Sequence, residues 1–138
     1  MAKVSITEQL CDDHTARHFA TLVAKCLSNV HDSPLLGARG GFERNIASMM
    51  AGIEKFHIRM PDEEPWKDHL PLSRRTSNNY LVFARHCYRD GYYQILAIIS
   101  PNAHQQIDIM LPALIELAEK TYIELSDDDL EKLEHFEA

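Results

Sequence analysis

The chain has 138 residues, 45% of them apolar and 25% charged, and a formal net charge of −7. That length suits one ordinary domain, and the run of ~20 apolar residues that a membrane helix needs is absent. The N-terminus, Met1-Ala-Lys-Val-Ser-Ile-Thr7, carries no apolar signal core, so a cytoplasmic location is expected, and three separated cysteines (Cys11, Cys26, Cys87) without a C-x-x-C pair argue against a disulfide framework or a thiolate zinc site.

Lys3 to Thr7 alternates in the manner of a short strand. Asp12, Asp13 and Thr15 then offer capping oxygens to a helix whose apolar face is Phe19, Leu22, Val23, Cys26, Leu27 and Val30. His31 to Gly41 is rich in Gly and Pro and reads as a loop. Ile46, Met49, Met50 and Ile53 give a second, shorter helix, with the methionines as core filler. From Phe56 the period changes to two: Phe56, Ile58 and Met60 face one way, His57 and Arg59 the other.

Pro61 to Pro71 is a proline-closed loop around Trp66. Asn79–His86 and Tyr92–Ile99 are β-rich runs joined through Asp90-Gly91, a pair suited to a hairpin turn, and the second run is apolar on both faces and therefore interior. Ser100 to His104 breaks the strand and starts a helix toward Tyr122, which Pro112 is expected to kink or divide. A last amphipathic turn follows Ser126. The predicted order is β-α-α-β-β-β-α: an α+β fold in which helices cover one face of a small, mainly antiparallel sheet. A single domain is expected over residues 1–124, with an acidic helical tail over 125–138.

Charge is unevenly placed. Seven acids and one base lie within residues 124–138, so that segment holds −6 of the net −7, whereas His69 to Arg89 contains four arginines and no acid. The tail can lie over this basic middle or stand as a solvated helix.

No phosphate-cradling Gly-rich loop, G-x-S-x-G or H-E-x-x-H motif is present. His14 and His18 have helical i, i+4 spacing but no accompanying glutamate, and neither a metal nor a cofactor is implied. The stronger constellation is His57 and Arg59 on a strand face, Arg74, Arg75, Thr76 and Ser77 entering the next strand, and His104 beyond the interior strand. Neighbouring strands could gather these side chains. Imidazoles that exchange a proton and a guanidinium fork that neutralises phosphate suit metal-free RNA cleavage by the 2′-hydroxyl. The other reading is structural, with edge-strand charges resisting aggregation and Arg75 paired to an acid such as Glu54.

From His57 to Tyr122 the chain resembles the YafO family of bacterial type II toxins. The resemblance rests on His57-Ile-Arg-Met60, where the family has a similar His-Ile-His-Leu, on Arg75-Thr-Ser77 followed by Leu81-Val-Phe83, on Leu96-Ala-Ile98, and on Pro101-Asn-Ala-His104 leading to Leu117-Ala-Glu119. It implies a RelE-like fold, a ribosome-dependent mRNA endonuclease and a cognate antitoxin as partner. It also implies Arg75 as the phosphate ligand and His57 and His104 as base and acid in unassigned order, with Arg59, Arg74, Thr76 and Ser77 holding the RNA backbone. Three departures stand out: Arg59 replaces the second histidine, Gly37-Ala-Arg39 stands where a Gly-Arg-Asp run is expected, and the acidic segment extends past the family's end. A toxin-like binding module without chemistry is the alternative.

Overall fold

The computed structural model describes residues 1–138. Five strands form one sheet: β1 (Lys3–Ile6), β2 (Leu36–Gly41), β3 (Ile53–Ile58), β4 (Tyr80–Arg85) and β5 (Tyr92–Ile99), in the spatial order β1-β5-β4-β3-β2. β2 to β5 are paired antiparallel in succession, and β1 joins β5 in parallel. The α+β class and the mainly antiparallel sheet are as expected, and β5 is interior.

The helices are α1 (His14–Leu27), α2 (Ile46–Met50), α3 (Ala103–Thr121) and α4 (Asp127–Glu131). They do not share one face, as the sequence reading had it. Because side chains alternate across a strand, Leu81, Phe83, Phe56 and Ile58 pack with Phe19, Ala20 and Val23 of α1, while Tyr80, Val82 and Ala84 pack with Ile107, Leu111 and Leu114 of α3. The sheet therefore separates two cores. Each fully buried Leu, Ile or Phe contributes about 1.5–3 kcal/mol.

Four further expectations are corrected. β2 lies where Gly and Pro suggested a loop; it is an edge strand, and Gly37 is required there because a Cβ would meet the Arg75 carbonyl oxygen at 2.4 Å. α1 ends at Leu27, leaving Val30 exposed. Ile46, Met49 and Met50 on α2 are 73%, 52% and 80% exposed and fill no core. Pro112 does not divide α3, which runs as one helix from Ala103 to Thr121. At the start of α1 the expected cap is present, with the Asp13 carboxylate accepting the Ala16 N–H at 2.8 Å.

The acidic C-terminal segment is packed against the domain. Leu130 is fully buried in the α3-side core, Phe136 exchanges two backbone hydrogen bonds with Val4 (2.7 and 3.0 Å), and Glu134 pairs with Arg17 at 2.8 Å. These contacts cover the free edge of β1.

Candidate functional site

β3 and the residue that follows it carry a basic stripe on the α3 side. Lys55, His57 and Arg59 alternate with Phe56 and Ile58, which enter the α1-side core. Antiparallel register sets His57 opposite Tyr80 at the start of β4. The Tyr80 ring is the hub: the Lys55 ammonium lies 4.4 Å from its centroid, the His57 ring meets it edge-on at 5.1 Å, and its hydroxyl is 3.4 Å from His104 Nδ1.

His104 reaches that point because Asn78, two residues before Tyr80, caps α3. The Asn78 carbonyl oxygens, backbone and side chain, accept the N–H groups of Ala103 (3.0 Å) and His104 (2.7 Å). Asn102, the nominal N-cap residue, has φ 61° and gives no side-chain cap. One residue from the β4 entrance thus fixes the helix end that carries the second imidazole.

Burial lowers the pKa of His57; hydrogen bonding to the Ser77 backbone opposes this, and the charges of Lys55 and His104 add to the lowering. Its Nδ1 lies 2.9 Å from both the amide nitrogen and the carbonyl oxygen of Ser77, so the ring is held in either neutral tautomer. Burial also lowers Lys55. Tyr80 is raised, by burial and by Asp108, and keeps its hydroxyl proton at neutral pH. Beside these groups a groove of ≈ 590 Å³ opens between the β2–α2 turn and α3, lined by Phe42, Arg44, Lys55, Tyr80, His104 and Asp108 among others.

The remaining expected residues divide. Ser77 adjoins His57, its hydroxyl donating to the Ile58 carbonyl at 2.8 Å. Arg74 and Thr76 are exposed on the approach to β4. Arg59 stacks on Trp66, 4.9 Å from the ring. Arg75 does not join the group: it is 4% exposed, and its guanidinium donates to the carbonyls of Leu70 (2.9 Å), Leu36 (3.1 Å) and Ser33 (3.3 Å). Its donors knit loop 61–75 to the edge strand. Glu54, offered as its partner, instead pairs with Arg39 and Arg85, both at 2.9 Å. With Arg89 paired to Asp127 at 2.9 Å, Arg74 alone among the four arginines of the acid-free stretch is exposed without an acidic partner.

Lys55, Tyr80 and Asn78 were missed from sequence. Lys55 continues the His57–Arg59 alternation by one step toward the N-terminus, a signal lost by starting the strand at Phe56. Tyr80 and Asn78 carried no such signal; their roles arise from strand pairing and from the return of the chain at α3. Nor does any third ligand join His14 and His18, since no group of three or more His, Cys, Asp or Glu side chains is placed to hold a metal ion.

The chain is thus a small α+β protein with two imidazoles, an ammonium and a phenol gathered beside an open groove, and it has no helix long and apolar enough to cross a membrane. Comparison with known families supplies its class: it is a toxin of a type II toxin–antitoxin system, which implies a cognate antitoxin. The family model described as "Toxin YafO, type II toxin-antitoxin system" matches residues 24–124, and the chain belongs to that family. Neither the curated proteins nor the solved structures gave a match. The family match spans β2 to α3 and the groove; it leaves out β1 and the tail, which are bonded to each other through Val4 and Phe136.

Proposed function

We propose that this toxin is a metal-independent endoribonuclease that cleaves mRNA on the translating ribosome. The observation that carries the reading is the gathering of two imidazoles and one ammonium about Tyr80, His57 and Lys55 at its ring and His104 at its hydroxyl.

His57 is the base. In the tautomer that donates Nδ1–H to the Ser77 carbonyl, Nε2 has a free lone pair, and burial favours this neutral form. It takes the proton of the RNA 2′-hydroxyl as that oxygen attacks the adjacent phosphorus. Lys55 stabilises the extra charge on the phosphorane. His104 gives a proton to the departing 5′-oxygen, and Tyr80 holds it by hydrogen bond. The products are a 2′,3′-cyclic phosphate and a 5′-hydroxyl end, with no net change in protons. Arg74, Thr76 and Ser77 lie along the approach for the RNA backbone. Arg75 is a positioning residue, because its donors are committed to loop carbonyls.

Induced expression with mapping of mRNA ends tests this. Growth arrest with new cuts at ribosome-occupied codons is expected, and His57→Ala and His104→Ala should each lower cleavage by about 100-fold or more. Arrest without new cuts would replace the enzyme by a binding toxin, the reading that Arg59 in place of the family's second histidine favours.

A further inference from the structure

The basic stripe of β3 does not end at His57. Two residues on, Arg59 faces the same side as His57, about 6.6 Å further along the extended chain, roughly one nucleotide step of an extended single strand. Each basic side chain of the stripe meets an aromatic ring: Lys55 lies over Phe42 (4.7 Å) and Tyr80, the His57 imidazole meets Tyr80 edge-on, and Arg59 lies over Trp66 (4.9 Å). Cations interleaved with rings along one line are the pattern by which proteins track a single-stranded backbone.

At Arg59 the surface opens into a second cavity of ≈ 290 Å³, apart from the main groove, with Trp66, Lys67 and His69 in its lining. Glu64 is the one acid in the lining. Arg59 Nε is buried and has no hydrogen-bond partner, an unusual state for a guanidinium N–H. The guanidinium lies over the indole, which restrains it, and its remaining donors are a fork of the kind suited to phosphate oxygens. Arg75, folded into the carbonyls behind Gly37, holds the loop that carries Trp66 against the sheet.

We propose that the Arg59–Trp66 cavity is a phosphate subsite for the nucleotide next to the scissile one, with Lys67 and His69 completing it. The inference rests on reading the groove as an RNA site and is independent of the chemistry performed there. It assigns the departure from the family's histidine a role: Arg59 is a fixed cation that extends the RNA track.

The test is direct binding of 2′-O-methyl oligoribonucleotides, which lack the attacking hydroxyl, at lengths of two, three, four and eight nucleotides. Wild-type affinity should step up by about tenfold once the oligonucleotide spans both subsites. Arg59→Gln and Lys67→Ala should abolish the step and make the slope of log affinity against log salt shallower by about 0.7 per lost phosphate contact. Lys67 is exposed, so its variant reports on binding even where Arg59→Gln loosens the loop. Inorganic phosphate in a parallel arm should compete only weakly with the longer oligonucleotides. Equal length dependence in wild type and both variants would overturn the subsite, as would competition by phosphate as strong as that by RNA. A length step in a protein that cuts no mRNA would keep the subsite and overturn the endoribonuclease.

Discussion

Arg75 shows how one residue's role depends on what its donors already touch. Its guanidinium satisfies carbonyls of loop 61–75 and of the start of the edge strand, and Gly37 packs against its backbone so closely that no side chain fits between them. Removing it leaves two buried carbonyl oxygens, those of Ser33 and Leu36, and the part-buried one of Leu70 without their charged donor. Hydrogen bonds to charged groups are each worth about 1.5–3 kcal/mol, and an unsatisfied buried acceptor adds its own desolvation cost. Arg75→Met should therefore destabilise the fold by about 3 kcal/mol or more in urea unfolding. Arg75→Lys should recover little, because an ammonium cannot span the carbonyls that the fork reaches. Unchanged stability with lost cleavage would return Arg75 to the phosphate. The dipeptide Arg74-Arg75 could not be resolved from sequence: both are arginines at a strand entrance, and only the path of loop 61–75 across β2 decides which one is folded inward. By contrast, His57 facing away from Phe56 and Ile58 was legible, since alternation on a strand with one apolar face admits no other orientation.

At the level of elements, the site is a junction of three strand ends and a helix start, and Asn78 is the joint. Its side-chain oxygen accepts the His104 N–H at 2.7 Å while its amide nitrogen donates to Gln105 at 2.8 Å. Loss of a helix cap costs about 1 kcal/mol, a small part of the total stability. The effect on chemistry should be larger, because a displacement of about 1 Å can cost on the order of 100-fold in rate. Asn78→Ala should lower cleavage at least tenfold with that modest stability loss, whereas Asn78→Asp retains the accepting oxygen and adds a charge favourable at a helix N-terminus. It should recover most of the activity. Equal impairment in both variants would mean that the cap does not position His104. The elements themselves were legible wherever a period was sustained, as in α1, β5 and α3. They were misread where a residue type served another purpose: Gly37 of β2 permits close approach of loop 61–75 rather than a turn, and the apolar residues of α2 point to solvent.

Across the whole molecule, the acidic tail and the groove occupy opposite ends of α3. His104 lies at the helix start, while Thr121 and the tail residues Leu133 and Glu134 line a separate cavity at its end; at 1.5 Å per residue the two ends are about 26 Å apart, beyond the ~8 Å Debye length at physiological salt. The tail thus acts on stability first, and its attachment is sensitive to pH. His135 is lowered by burial and by the neighbouring charge of Lys3, against opposing pulls from Glu131 and Glu137, and its Nε2 is buried without a partner. His57 is lowered by burial as well. For both, the unfolded chain binds more protons than the folded one below the ordinary histidine value of about 6.5, so stability falls as pH drops through that value toward the lowered ones. The carboxylates follow separately: Glu134 is lowered by its bonds to Arg17, and Glu131 mainly by the hydroxyl of Tyr92. Their contribution is complete above about 4.3 and is lost as pH falls through their lowered values. Melting temperature should accordingly decline in two stages, one beginning near pH 6.5 and one below about 4.3. His135→Gln should shrink the first stage without moving the second, and Glu134→Gln should do the reverse. A melting temperature constant between pH 7.5 and 5 in the wild type would show that neither imidazole is held in its neutral form by the fold. A first stage untouched by His135→Gln would assign it to His57 alone, and the tail would then respond only to the titration of its carboxylates.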